Sequence, residues 1–333
     1  MILFTECLLL KTQVFHFAPP SITAPSQEVQ SILKDPTLRE YKTLDSSRAW
    51  LAGFLPPGHP DLESGAAGQL QGLAGLTGLL FGFPSIGGAL ALQIDRRRIL
   101  DPILEKEVFS AQDSPFRMMD ILGVKYLSTS QPLYKPVFEL VSFNPAHQIW
   151  IYQNKNAKPR FQIYCHARFV TSYKDALQKL KSSTQKTLFI EQGRPDPYQP
   201  ARQAAIAGEP GCDDVREEET SRKIRYLKKS SQMYELEIDT KTSLWLFLAD
   251  APYPGWEAKI NGLPVEIYAA QVLGKAIHIP SGKNHIVIEY HPKMFYMGLG
   301  ITAATVFLIL ALLVWRAGKF FFQKERSHGN VHR

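Results

Sequence analysis

Residues 257–268 read EAKINGLPVEIY, residues 276–290 read AIHIPSGKNHIVIEY, and residues 294–315 read MFYMGLGITAATVFLILALLVW. In the first stretch, Glu257–Ile260 and Leu263–Tyr268 flank Asn261-Gly262, the pair favoured in a type I′ hairpin because both central residues take φ > 0. In the second, Ala276–Ile279 and His285–Tyr290 flank the turn Pro280-Ser281-Gly282-Lys283. The third carries no charge, and a helix of its length rises about 33 Å, enough to cross a bilayer's hydrocarbon core. Phe295, Tyr296 and Trp315 stand at its ends, where aromatic rings prefer the headgroup level, and Lys293 and Arg316 bracket it. The last strand therefore feeds a membrane helix through Pro292, and the β domain must stand on the bilayer surface.

Upstream, the same reading adds strands. Tyr234–Ile238 alternates, and Ser243–Leu248 is nearly continuous apolar, as a central strand buried on both faces would be. Ile149–Tyr152, Phe161–Tyr164, Phe169–Val170 and Thr187–Ile190 are rich in β formers, and Tyr173–Leu180 sets Ala176, Leu177 and Leu180 on one helix face. Met118–Leu122 reads as a helix running through Gly123 into a buried strand, Val124–Leu127. Arg96–Lys106 reads as a short amphipathic helix broken near Pro102, and Ser26 as the N-cap of a helix before Pro36. Ser64–Ile94 has no charge either, but its glycines, glutamines and Pro84 lower its hydrophobicity, so a glycine-rich segment packed on the domain is expected there. Gly193–Thr220 reads as a solvated acidic loop, and the basic run Arg222–Lys229 follows it as a solubilising contrast.

The 333 residues include 38 Lys+Arg and 31 Asp+Glu, a formal charge of +7, with 45% hydrophobic residues. That apolar content excludes a disordered chain. Arg316, Lys319, Lys324, Arg326 and Arg333 against Glu325 leave most of the excess in the tail, which marks membrane topology and not a nucleic-acid footprint. By the positive-inside rule the tail is cytoplasmic and residues 1–293 lie on the other side. The first residues make a poor signal peptide, lacking a basic start and interrupted by Glu6 and Lys11. Either the topology is reversed or the chain is the C-terminal part of a longer protein; the second reading is favoured, and in it Ile2–Leu10 is the trailing end of an earlier membrane helix. Three cysteines without CxxC spacing exclude a cysteine-type zinc site; Cys165 and Cys212 are open to pairing in an oxidising compartment.

Catalytic motifs are thin. The nine histidines form no HExxH, no GxSxG serine occurs, and no cofactor or metal set is expected. His278 and His285 read as structural, and Asp250 as a strand-end acceptor of backbone hydrogen bonds. Two sets are candidate binding groups. Tyr253 and Trp256 flank Pro254-Gly255 and present rings suited to the C–H face of a sugar; the turn also fits Trp256 folding into the core. Arg96, Arg97 and Arg98 offer guanidinium groups to a lipid phosphate, or form a solvated helix face.

Tyr253-Pro254-Gly255-Trp256, Asn261-Gly262, Pro280-Ser281-Gly282 with His285, and Glu289-Tyr290 with Pro292 occur in one order ahead of the final apolar helix. Phe83-Pro84-Ser85-Ile86-Gly87-Gly88, Leu122-Gly123-Val124-Lys125-Tyr126, and Tyr152-Gln153-Asn154 with Pro159-Arg160 precede them. In these landmarks the chain resembles the C-terminal part of the YfhO family of bacterial polytopic membrane proteins, from about residue 15 to residue 316. The resemblance implies a glycosyltransferase of the GT-C type, with a helix bundle, a lipid-linked sugar donor and an extracytoplasmic domain near the C-terminus. The catalytic carboxylate of that class lies in a first extracytoplasmic loop that this sequence does not contain, so the chain alone is expected to be non-catalytic.

The expected fold is α+β, a mixed N-terminal part and a C-terminal antiparallel β-sandwich followed by one transmembrane helix. Its parts are 1–20, the end of a preceding membrane helix; 21–135, mixed α/β with the Gly-rich segment 64–94; 136–192, β-rich with one helix; 193–220, the acidic loop; 221–292, the sandwich part; 294–315, the membrane helix; and 316–333, the basic tail. The expected partners are the bilayer, a polytopic helix bundle encoded upstream, and a polyprenyl-phosphate sugar or envelope glycan, with no nucleic acid. The alternative is a stand-alone single-span protein whose sandwich binds envelope polysaccharide or a partner protein.

Overall fold

The computed structural model describes residues 25–46, 81–86, 95–110, 118–145, 148–182, 187–192, 224–230 and 232–329. The expected membrane-helix end at 1–20, the Gly-rich segment apart from 81–86, the acidic loop and the last four residues lie outside them. So do the side chains of Arg97 and Arg98.

Helix α1 (Gln27–Leu33) opens on Ser26, whose hydroxyl accepts from the Val29 amide at 3.2 Å, the cap expected from the sequence. Strand β1 (Lys42–Ser46) follows, then helix α2 (Asp95–Phe109). Pro102 does not break α2, contrary to the sequence reading: the helix runs through it, because Leu100, Leu104 and Val108 at i, i+4 and i+8 are fully buried against the core. The Glu107 carboxylate of α2 accepts from the Met118 and Met119 amides at 2.7 and 3.0 Å, capping helix α3 (Met118–Ile121) from outside.

Three sheets follow. In the first, β1 lies parallel to β2 (Val124–Thr129), which pairs antiparallel with β4 (Ile149–Asn154), and β4 with β3 (Phe138–Asn144). The second has six strands in the order β5-β10-β14-β13-β7-β6. They are β5 (Phe161–Tyr164), β6 (His166–Val170), β7 (Thr187–Glu191), β10 (Leu244–Leu248), β13 (Tyr268–Ala270) and β14 (Gly274–Ile279). Only the pair β6 and β7 is parallel, joined by helix α4 (Tyr173–Ser182) as a crossover requires. The third sheet has the order β12-β11-β15-β9-β8. Its strands are β8 (Ile224–Lys229), β9 (Met233–Thr240), β11 (Trp256–Ile260), β12 (Leu263–Val265) and β15 (Gly282–Tyr290), all antiparallel.

The six- and five-stranded sheets form the sandwich. Phe161, Leu246, Leu248, Ile277 and Ile279 of one meet Tyr234, Leu236, Ile260, Ile286 and Ile288 of the other in one buried cluster. Trp245 and Phe247 of β10 point the opposite way, into a second cluster with α2, α3 and α4. All five residues of β10 are thus buried, which is why its sequence is continuous apolar. A third cluster packs α1 against the four-stranded sheet through Val29, Ile32 and Ile151.

One further reading is corrected. Leu263–Tyr268 is not one strand: β12 stays in the five-stranded sheet and β13 joins the six-stranded one, with Glu266 and Ile267 carrying the chain across the sandwich edge. Within the part expected to be sandwich, Ile224–Lys229 of the basic run forms the edge strand β8, with Ile224 buried in the sandwich core. Asn261 (φ 51°) and Gly262 (φ 83°) make the left-handed pair of a type I′ turn. Helix α5 spans Lys293–Gly329; its apolar part, Lys293–Arg316, is unburied by the described residues and long enough to cross a membrane.

Candidate functional site

Where β10 ends, the chain continues through Ala249 and Asp250 into a turn rich in proline and aromatic residues, and the three sheets converge on it. Arg160 sits just before β5; its Nε and Nη2 donate to the two carboxylate oxygens of Asp250 at 2.9 and 2.6 Å, a bidentate fork. Lys42, the first residue of β1, reaches Asp250 Oδ1 at 3.4 Å and donates to the Ala249 carbonyl. Tyr234 of β9 donates its hydroxyl to Asp250 Oδ2 at 3.3 Å. Asp250 therefore ties all three sheets together through side chains. The sequence reading, in which it takes backbone hydrogen bonds, is replaced by an ion-pair cluster, because three cations converge on this strand end.

The third cation is Lys275 of β14, only 2% exposed. Its Nζ donates to the Ala251 carbonyl at 3.2 Å and lies 3.8 Å from the centre of the Trp256 ring. Burial drives the Lys275 ammonium down to about 7; attraction to Asp250 opposes that shift, and repulsion from Lys42 and Arg160 adds to it. Burial alone would raise the Asp250 carboxyl, but Lys42, Arg160 and Lys275 hold it well below the usual carboxylate range. One carboxylate thus faces three basic groups, a local excess of positive charge when Lys275 is protonated.

Aromatic rings cover this cluster. Trp256 stacks on Tyr234 with centroids 6.0 Å apart and planes 17° apart, and tilts against Tyr290 at 5.3 Å. Its ring is half-buried and packs against the sandwich core, as the reading of the turn as core packing expects. Tyr253 is 56% exposed and leans on Tyr290 at 6.5 Å. Gly255 makes the turn feasible at φ 107°, where a Cβ would stand 2.9 Å from the His291 carbonyl oxygen. The Gly255 carbonyl accepts from the His291 amide at 2.6 Å, which fastens the turn to the segment leading into α5.

Arg96 is placed elsewhere along the same end of the six-stranded sheet. Its Nη1 and Nη2 form a bidentate pair with Glu191 at the end of β7; Nη1 also donates to the Val272 carbonyl at 3.0 Å, and the guanidinium lies over Tyr173. The candidate pair Tyr253 and Trp256 is brought together with Asp250, whereas Arg96 is occupied by Glu191. Sequence reasoning missed Lys42, Arg160 and Lys275. Lys275 carried a signal: it shares the inward phase of β14 with Ile277 and Ile279, where a charge demands a partner. Lys42 gave none, since its contact lies 207 residues away. No group of three or more His, Cys, Asp or Glu side chains able to hold a metal occurs among the described residues.

Residues 213–302 match the family model described as bacterial membrane protein YfhO. No curated protein and no solved structure matches the chain. The matched segment includes Asp250, the aromatic turn, Lys275 and the start of the apolar helix, but neither Lys42 nor Arg160. Over those residues the chain, whose β-sandwich leads into one apolar helix, is similar to the YfhO family of bacterial membrane proteins.

Proposed function

We propose that this chain is the extracytoplasmic, non-catalytic domain and C-terminal membrane anchor of a YfhO-like polytopic membrane protein that takes part in transferring lipid-linked sugars to cell-envelope glycans. In this reading Tyr253 and Trp256 contact the sugar, and the basic groups around Asp250 bias the neighbourhood toward a phosphate. Arg97 and Arg98 remain candidates for the lipid phosphate, while Arg96 would have to leave Glu191 to join them. The observation that carries the reading is the hydrogen bond between Gly255 and His291, which holds the aromatic turn beside the segment that enters the apolar helix. A ligand with its lipid tail in the bilayer and its sugar outside would meet the rings and the cations at one level. The disulfide at Cys165 supports an oxidising, extracytoplasmic setting for the domain.

The test is binding of a polyprenyl-phosphate sugar to the full chain in detergent, followed by calorimetry. Tyr253→Ala is expected to weaken binding about tenfold, in line with the loss of one ring contact, with the thermal midpoint unchanged because Tyr253 is largely exposed. Absence of binding, or equal affinity in the variant, overturns the reading. An immunoblot of source membranes against residues 221–290 separates it from the stand-alone alternative: a band far above 37.6 kDa favours a polytopic protein, and a band near that mass favours the single-span protein.

A further inference from the structure

The five-stranded sheet delivers a defined set of side chains to the membrane surface. β15 ends at Tyr290 and the apolar helix begins at Lys293, leaving His291 and Pro292 between them. The three steps from Tyr290 to Lys293 reach at most about 11 Å when extended, and the Lys293 amide bonds back to the His291 carbonyl at 2.8 Å, so the joint is shorter than that and close to the depth of one headgroup layer. The joint is also held from the side, by the Gly255–His291 hydrogen bond and by Lys293 pairing with Glu257 at 2.8 Å. Whatever shares the level of Tyr290 therefore lies at the headgroups.

Strand register identifies what does. Tyr290 pairs with Trp256, so the 251–255 turn is at that level; the Tyr290 amide donates to the Gln232 carbonyl at 2.9 Å and Lys229 pairs with Tyr234, so the end of β8 and the start of β9 are there too. The end of β8 is basic. Lys228 is exposed, and Lys229 is half-buried with its ammonium 5.3 Å from the Tyr226 ring. The 251–255 turn projects Tyr253 and Pro254, a ring with a polar tip and an apolar wedge. Three carboxylates near this level are engaged: Glu257 by Lys293, Glu289 by His291 at 2.9 Å, and Glu235, opposite Lys228, by His285 at 2.8 Å. Arg39 and Glu40 lie within electrostatic reach of Lys229, and the positive excess around Asp250 stands behind it. An exposed lysine, with a second beside it at the same strand end and a projecting tyrosine on the neighbouring turn, matches an anionic interface in both charge and polarity.

We propose that the end of β8 at Lys228–Ser230, with Gln232, and the turn at 251–255 form a docking edge for anionic phospholipid headgroups of the bilayer that α5 enters, and that this contact sets the tilt of the sandwich. The inference concerns bulk lipid, so it stands whether or not a lipid-linked sugar binds at Tyr253. Hydrogen exchange of the full chain in nanodiscs tests it, comparing phosphatidylcholine alone with phosphatidylcholine containing phosphatidylglycerol. Peptides covering Lys228–Ser230 and 251–255 should exchange at least fivefold more slowly with the anionic lipid, about the gain from one basic residue at such a surface. The distal hairpin at 261–262 serves as the internal reference and should not change. The difference should vanish in Lys228→Glu/Lys229→Glu and in 0.5 M salt. Equal exchange in both lipids, as a covering protein helix would also give, overturns the proposal. So does a difference that survives the charge reversal or the salt.

Discussion

Asp250 is the residue on which the most structure depends. Its carboxylate carries the fork from Arg160, the ammonium of Lys42 and the hydroxyl of Tyr234, each from a different sheet. Asp250→Asn keeps the shape and removes the charge, leaving buried cations without their counter-ion. Breaking such a pair costs about 3–5 kcal/mol, so the thermal midpoint of the detergent-solubilised chain should fall well below that of the parent. Lys275 makes the opposite prediction. Its folded-state value of about 7 lies below the ordinary 10.5. Below pH 7 both states bind the proton, and the full penalty of burying the ammonium is present. Between pH 7 and 10.5 the unfolded chain holds more protons than the folded one, so this group's contribution raises stability as pH increases. Lys275→Met should stabilise the chain at pH 6 and flatten the rise between pH 7 and 10 in melts recorded across that range.

At the scale of elements, the 251–255 turn joins two sheets and touches the segment leading into the helix. Gly255→Ala would have to hold φ near 107° and fit a methyl group 2.9 Å from the His291 oxygen. The expected loss is about 1–3 kcal/mol, seen as a lower melting midpoint, together with faster hydrogen exchange at His291, whose amide the turn holds. The elements also show what the sequence exposed. Alternation in β9 and β15, the Asn261-Gly262 pair and the uninterrupted apolar run of β10 were legible because each is a local consequence of which face is buried. The passage of β12 into β13 was not, because Leu263–Tyr268 keeps β-forming residues while the chain changes sheets, a decision made by packing. Pro102 misled for a related reason: a helix-breaking residue was outweighed by the buried ridge of Leu100, Leu104 and Val108. In the candidate site, Tyr253 and Trp256 were legible as a motif. The cations were not, because Lys42 meets Arg160 and Lys275 only once the four- and six-stranded sheets have both formed and packed together.

The molecule as a whole is layered: five strands, then six, then helices and a four-stranded sheet, with the apolar helix leaving the outer layer. Nothing among the described residues covers Lys293–Arg316, so lipid or other helices must do so. Deleting 294–315 should move the chain from the carbonate-resistant membrane pellet to the supernatant, provided that no other segment anchors it; fractionation and immunoblotting read the outcome. The helix itself has 37 residues and is about 55 Å long, against a hydrocarbon core of about 30 Å. Its excess length leaves the bilayer as a continuation of the same rod, with no break between Lys293 and Gly329. A rod held by hydrogen bonds along its whole length resists twisting. Rotation of the sandwich about the membrane normal would therefore turn Arg316 through nearly the same angle on the far side, making the anchor a shaft that carries torque as well as a tether.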